Sequence, residues 1–257
     1  KDKAGNLGVE QRHFLVKVQS AISANTGSSL GFLNGEVTIP AGALTTDDRL
    51  VATIPAVIPE IPPELNAIVK ASNRIVELKL QSGVAQFTKP VTVTLSYSAG
   101  DISGLKENNL RLSFYSGKKG GWSVIPNSTV DTVNKKVTGA VDHFTLFRIV
   151  EFTALVSDEI LVDVFNFPNP FSPANGTTIR YILGNTVNEV KIKVYNIYGD
   201  LIRDLTGTNN LGMNDVYWDG KEDGGNAISS EVYICIIKVK DTQGKEIVKR
   251  FKLAGWK

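Results

Sequence analysis

The chain has 257 residues, 42% hydrophobic and 21% charged, a globular composition long enough for two ordinary domains with real cores. Its 28 Lys and Arg stand against 26 Asp and Glu, and the basic residues are scattered along the sequence, so nothing points to a nucleic-acid or anionic-membrane partner. One cysteine and two histidines exclude an intrachain disulfide and a His/Cys zinc cluster.

The chain opens on the polar Lys1-Asp2-Lys3-Ala4-Gly5-Asn6. It shows neither a signal peptide nor a run of 18 apolar residues, so no transmembrane helix is expected. This beginning reads as that of an excised piece whose export signal lies upstream or was removed. Phe14 to Val18 is strand-like, and residues 1–26 are expected to be a tail or the last strand of a preceding immunoglobulin-like repeat.

Residues 27–150 are rich in short alternating runs. Gly35–Pro40, Leu50–Ile54, Ile75–Leu80 and Pro90–Tyr97 read as strands, with Thr set opposite Val and Leu in the last. Pro40-Ala41-Gly42-Ala43-Leu44 is a turn, and the adjacent Asp47-Asp48 reads as solvated loop. Four prolines between Ile54 and Pro63 demand an extended or edge loop. Leu110–Tyr115 and Trp122–Ile125 pair across the turn-rich 116–121, and Lys136–Val141 with Phe144–Phe152 close the unit. No segment supports a helix longer than two or three turns. Short strands separated by turns predict a β-sandwich.

Residues 151–164 read as a connector, apolar enough to be strand-like, so that the two units are expected to pack on each other. Next comes Asn166–Ile182, NFPNPFSPANGTTIRYI, where Pro168, Pro170 and Pro173 interleave with Phe167 and Phe171. Proline fixes φ and lacks an N–H, so this lead-in is neither helix nor central strand. Phe167 and Phe171 are expected to pack into the second core while Pro168 and Pro170 stiffen the approach. The β-rich run 177–182, VKIKVYNIYGDLIRDL (190–205), the Trp218-Asp219-Gly220 turn and EVYICIIKVKD (231–241) follow. Cys235 sits in the last of these as a buried, inert thiol. Glu246–Leu253 alternates imperfectly and is expected at a sheet edge, where strand addition could be read by a machine.

That set, in that order, resembles the immunoglobulin-like domain of flagellar hook-cap proteins, and equally the type A C-terminal sorting domain of bacterial type IX secretion, over residues 165–257. The strings VTIPAGAL, FTKPVTVTLSY, LRLSFYSGKKGGWSVIPNSTVD and VTGAVDHFTLF, from Leu33 to Phe147, resemble the β-sandwich shared by ankyrins, zona-occludens proteins, netrin receptors and bacterial surface proteins. The fold expected is all-β, with two β-sandwich domains, the second immunoglobulin-like.

The resemblance of the first unit brings one chemistry. In some relatives a His-Phe-Ser or His-Leu-Thr cuts its own backbone. In this chain Thr145 Oγ would attack the Phe144 carbonyl with His143 as base, in a strained turn with an oxyanion site. The expectation is an intact chain with these three residues starting a strand. Asp219 and Asp223 in WDGKEDGGN are a weak calcium candidate, but EF-hand spacing is missing and turn chemistry accounts for them. Trp122, Tyr115 and Tyr97 are candidates for a glycan platform or for core packing. Two sequons, at Asn127 and Asn175, fall in turn-like sequence. No GxSxG, HExxH or P-loop occurs, and no cofactor is expected.

Three readings remain. The first is a non-catalytic structural, attachment or sorting module at the C-terminal end of an exported, extracellular or cell-surface bacterial protein. Its partners would be secretion or cell-surface assembly machinery and other domains of the parent, without membrane insertion. The second is a self-cleaving domain. The third is a carbohydrate-binding accessory region of an extracellular hydrolase.

Overall fold

A computed structural model of the chain describes residues 18–83, 86–116, 121–126, 128–153 and 159–256. The early strand reading at Phe14–Lys17, the turn at 117–120, the first sequon's Asn127 and residues 154–158 of the connector lie outside the described residues. The chain is almost wholly β. Its helical segments among the described residues are two single 3-10 turns, Pro63–Leu65 and Glu107–Asn109, and no helix there is long and apolar enough to cross a membrane.

The first eleven strands make two facing antiparallel sheets. One has six strands: β1 (Val18–Ile22), β4 (Asp48–Thr53), β5 (Val69–Leu80), β11 (Leu146–Phe152), β7 (Leu110–Ser116) and β8 (Gly121–Val124), in that spatial order. The other has five: β2 (Ser28–Phe32), β3 (Gly35–Ile39), β6 (Val91–Ser96), β10 (Lys136–Val141) and β9 (Thr129–Asp131). The period-two pattern explains the layering. In β6, Val91, Val93 and Leu95 are buried while Thr92, Thr94 and Ser96 stay partly exposed. Leu112, Val137, Phe147 and Ile149 meet them in the core.

Seven further strands form a second pair of sheets. β12 (Leu161–Phe167), β13 (Thr177–Leu183) and β16 (Gly212–Trp218) make one. β15 (Leu201–Thr206), β14 (Val187–Tyr195), β17 (Val232–Asp241) and β18 (Glu246–Ala254) make the other. Ile192, Val194, Trp218, Tyr233 and Cys235 fill the space between them.

β13 departs from the alternation. All seven of its residues are buried. Ile179, Tyr181 and Leu183 face the second core, while Ile182 packs in a separate cluster with Leu65, Val69, Val124, Val150 and Phe152 of the first sandwich. A strand covered on both faces must lie between two layers. The sandwiches therefore share a buried contact through the outer face of the three-stranded sheet.

Several element boundaries differ from the sequence reading. β11 ends at Phe152, where the Phe144–Phe152 run ends, and β12 opens at Leu161, inside the segment read as a strand-like connector. Their apolar residues are used as strand, because Val150 and Phe152 are buried between the sandwiches. β2 and β9 carried too little apolar alternation to be anticipated. Asp47 is exposed loop as expected, whereas Asp48 belongs to a strand. Asp47 Oδ1 accepts a 2.8 Å bond from the Ala24 N–H, and Asp48 opens β4 and accepts bonds from Ser82.

Candidate functional site

The His143–Thr145 triplet sits where β10 turns into β11. Thr145 Oγ donates a 2.7 Å hydrogen bond to the Tyr115 carbonyl of β7. His143 Nδ1 lies 2.6 Å from Asp142 Oδ1, and its ring meets Phe114 edge-on at 5.4 Å. Phe144 packs edge-on against Phe87 at 4.7 Å. The hydroxyl that would attack the Phe144 carbonyl is thus committed to a neighbouring strand, and the imidazole is turned to its own preceding carboxylate. An adjacent cleft of about 300 Å³, lined by Pro90, Phe114, Ile125 and His143 among others, is mostly apolar.

Asp219 and Asp223 gather around a cation of the protein itself. Arg203 places Nη2 3.9 Å from Asp219 Oδ1 and Nε 3.7 Å from Asp223 Oδ1, and donates from Nη1 to the Glu222 carbonyl at 3.0 Å. Asp219 also accepts from the Lys221 N–H and Asp223 from the Asp204 N–H. Gly220 has φ +70°, and a Cβ there would fall 2.5 Å from the Pro173 carbonyl oxygen, so only glycine fits where the turn crosses the proline-rich lead-in. Asp223 further seals the β15 edge, because its N–H donates to the Ile202 carbonyl.

The lead-in itself works at the opposite edge. The Phe167-Pro168 and Asn169-Pro170 bonds are both cis. Asn169 donates from Nδ2 to the Lys252 carbonyl at 3.1 Å and accepts from the Ala254 N–H at 2.9 Å. Phe171 N–H donates to the Ala254 carbonyl, and the Phe171 carbonyl accepts from Trp256. The C-terminal half of the β18 edge is therefore already paired. Phe171 meets the expectation: it is 1% exposed and lies 5.4 Å from Trp218, which packs on Tyr233. Phe167 does not. It is buried outside that core, with its ring edge near Gly121 of β8 and its face under the Arg180 guanidinium at 4.5 Å. Being on the same strand as Phe165, it follows the outer face toward the first sandwich.

That guanidinium is the feature the sequence did not disclose. Arg180, 0% exposed, sits in the middle of β13 between the two sandwiches. Nε and Nη2 grip the two oxygens of Asp215 on β16 at 2.7 and 2.8 Å. Nη1 donates to the Trp122 carbonyl at 2.6 Å and Nη2 to Ser123 Oγ at 2.5 Å, both on β8. Ser123 Oγ in turn donates to Asp215 Oδ2 at 2.7 Å. The planar fork of arginine suits this bidentate arrangement, in which each of its three nitrogens donates, where the single point charge of lysine would not. Nothing in the isolated sequence ties residue 180 to 122, 123 and 215. An arginine flanked by Ile179 and Tyr181 in a strand run was the one visible sign.

The aromatic residues considered for a glycan platform are structural. Trp122 is 1% exposed and donates to the Pro59 carbonyl at 2.8 Å, tying down the proline-rich loop. Tyr97 is 5% exposed and donates to Glu107. Tyr115 packs edge-on against Trp122 at 5.6 Å. Cys235 is buried, which pushes its thiol well above the ordinary range.

No family model matches the chain, and no curated protein matches it. Among solved structures it is similar to dimeric latent PorU from Porphyromonas gingivalis, with a TM-score of 0.32 and 13% identity over 95% of this chain and 30% of that one. It is also similar to the adhesin domain of Epf from Streptococcus pyogenes, with a TM-score of 0.24 and 11% identity over 90% of this chain and 98% of that one. The chain thus spans about a third of the PorU chain's length. Scores this low carry no argument about function.

Proposed function

We propose that the chain is a non-catalytic structural and attachment module of an exported bacterial protein, and that its second sandwich serves as a sorting module. The observation that carries the structural reading is the buried Arg180, which is gripped by Asp215 of its own sheet and donates to the Trp122 carbonyl and Ser123 Oγ of the first sandwich. A rigid pair of sandwiches suits spacing and attachment. The groups with chemical capacity support the same reading, since Thr145, Asp219 and Asp223 are each held in structural contacts. The sorting role rests on the resemblance of residues 165–257. On β18 a reader by strand addition would have residues 246–250 available, because Asn169 and Phe171 occupy the rest of that edge.

The test is to fuse the whole chain to an inert exported reporter in a type IX-secreting host. Delivery to the surface, lost when residues 246–257 are deleted, is the expected result. Retention of a folded fusion in the periplasm, with the host's own cargo exported normally, would leave only the structural role. Accurate mass of the purified chain checks the non-catalytic half. One intact species is expected, and two pieces split between Phe144 and Thr145 would restore self-cleavage.

A further inference from the structure

The pairing register gathers cations that the linear sequence disperses. On the outer face of the four-stranded sheet, Lys193 stands beside Ile236 and Ile236 beside Arg250. In the next row Tyr195, Ile234 and Lys252 are neighbours. Three lysines of this face have partners: Lys191 with Glu189 at 3.0 Å, Lys193 with Asp204 at 3.3 Å and Lys238 with Glu246 at 2.7 Å. Arg250 and Lys252 are exposed and make no ion pair among the described residues, whereas Lys240 stands at the far end of the sheet between Glu189 and Glu246.

A second feature adjoins the face. Beyond Tyr195 the β14–β15 hairpin ends in a tip where Ile197 is 61% and Tyr198 82% exposed, with Leu201 45% exposed beside them. The tip is firmly built. Asn196 Oδ1 accepts from the Tyr198 and Asp200 N–H groups at 3.0 and 2.9 Å, and Gly199 closes the turn at φ +93°. A fixed turn that holds a large aliphatic and an aromatic side chain in water is not explained by the core.

We propose that this end of the sheet docks on an anionic lipid bilayer, with Ile197 and Tyr198 at headgroup depth and Arg250 and Lys252 against the headgroup anions. The inference goes beyond the attachment and sorting reading and does not depend on it. Tyrosine favours the membrane–water interface because its ring is apolar and its hydroxyl polar. Each cation near an anionic surface strengthens binding roughly fivefold, which is marginal alone and needs an apolar anchor beside it. The tip and the basic rows supply those two signals on adjoining surfaces. A linear anionic polymer would use the cations and leave the apolar tip without a role.

Flotation of the full chain with vesicles tests this. Binding is expected to phosphatidylcholine vesicles containing phosphatidylglycerol, but not to pure phosphatidylcholine. It should fall at least about tenfold in the pair Ile197→Ser/Tyr198→Ser, and at least about 25-fold in Arg250→Glu/Lys252→Glu. All four side chains are on the surface, and an unchanged melting transition confirms that the variants fold. Absence of flotation overturns the proposal, as does full binding by the tip variant. So does retention by polygalacturonate or poly-glutamate that depends on Arg250 and Lys252 and ignores the tip.

Discussion

Arg180 is the most consequential single residue, because a charge without solvent depends wholly on its partners. Removing one side of a buried pair typically costs about 3–5 kcal/mol, whereas replacing both by apolar groups is often nearly neutral. Asp215→Ala is therefore expected to destabilise the chain by about that amount, and Arg180→Met/Asp215→Leu to recover most of it, as read by urea midpoints. Tyr181, its neighbour in β13, gives a pH signature. Burial pushes its hydroxyl up to about 12 from an ordinary 10.0, against hydrogen bonds to Thr208. A raised acid favours the neutral form in the fold. Its stabilisation is complete below pH 10 and is lost as pH rises toward 12, on the order of 2–3 kcal/mol. Urea titrations between pH 9 and 12 should show this decline, flattened in Tyr181→Phe. Tyr97 and Tyr233 are also raised and steepen the background, so the comparison with Tyr181→Phe is the informative one. Sequence reading reached Cys235 and Phe171 at this scale because apolar context is local. It missed the partners of Arg180 because they lie 57 and 35 positions away.

At the level of elements, period-two alternation made β3, β5, β6, β10 and most of β17 legible, since each has one face in a core. It failed where a strand is buried on both faces, as in β13, or too short and polar to show a pattern, as in β9. The proline-rich lead-in shows both outcomes. Phe171 goes to the second core and Phe167 to the contact between sandwiches. The two should behave differently in double-mutant cycles. Phe171→Ala should cost about 3–5 kcal/mol and add to Asp215→Ala within about 0.5 kcal/mol. Phe167→Ala should couple to Asp215→Ala by about 0.5–3 kcal/mol, because both act on one guanidinium. Denaturant melts of the four variants and their pairs decide this. Equal additivity for both phenylalanines would place Phe167 in an ordinary core.

For the whole molecule, two sandwiches were legible from strand count and turn spacing, but their mode of contact was not. Its apolar members, Val69, Val124, Val150, Ile182 and Met213, come from five separate strands, and each looks like ordinary core in its own run. With Arg180 bonded on both sides of the seam, the intact chain is expected to unfold in one cooperative transition. Calorimetric and van't Hoff enthalpies should agree. Asp215→Ala combined with Val150→Asp should split it into two. Two transitions in the unaltered chain would mean that the seam contributes little. The seam also bears on heredity. A gene segment encoding only the second sandwich, moved behind some other domain, would arrive with a guanidinium shaped to a carbonyl and a hydroxyl that the new host does not provide. Recombination that separates the halves is therefore expected to be selected against, and the pair to travel between genomes as one inherited cassette, with residues 123, 180 and 215 changing together or not at all.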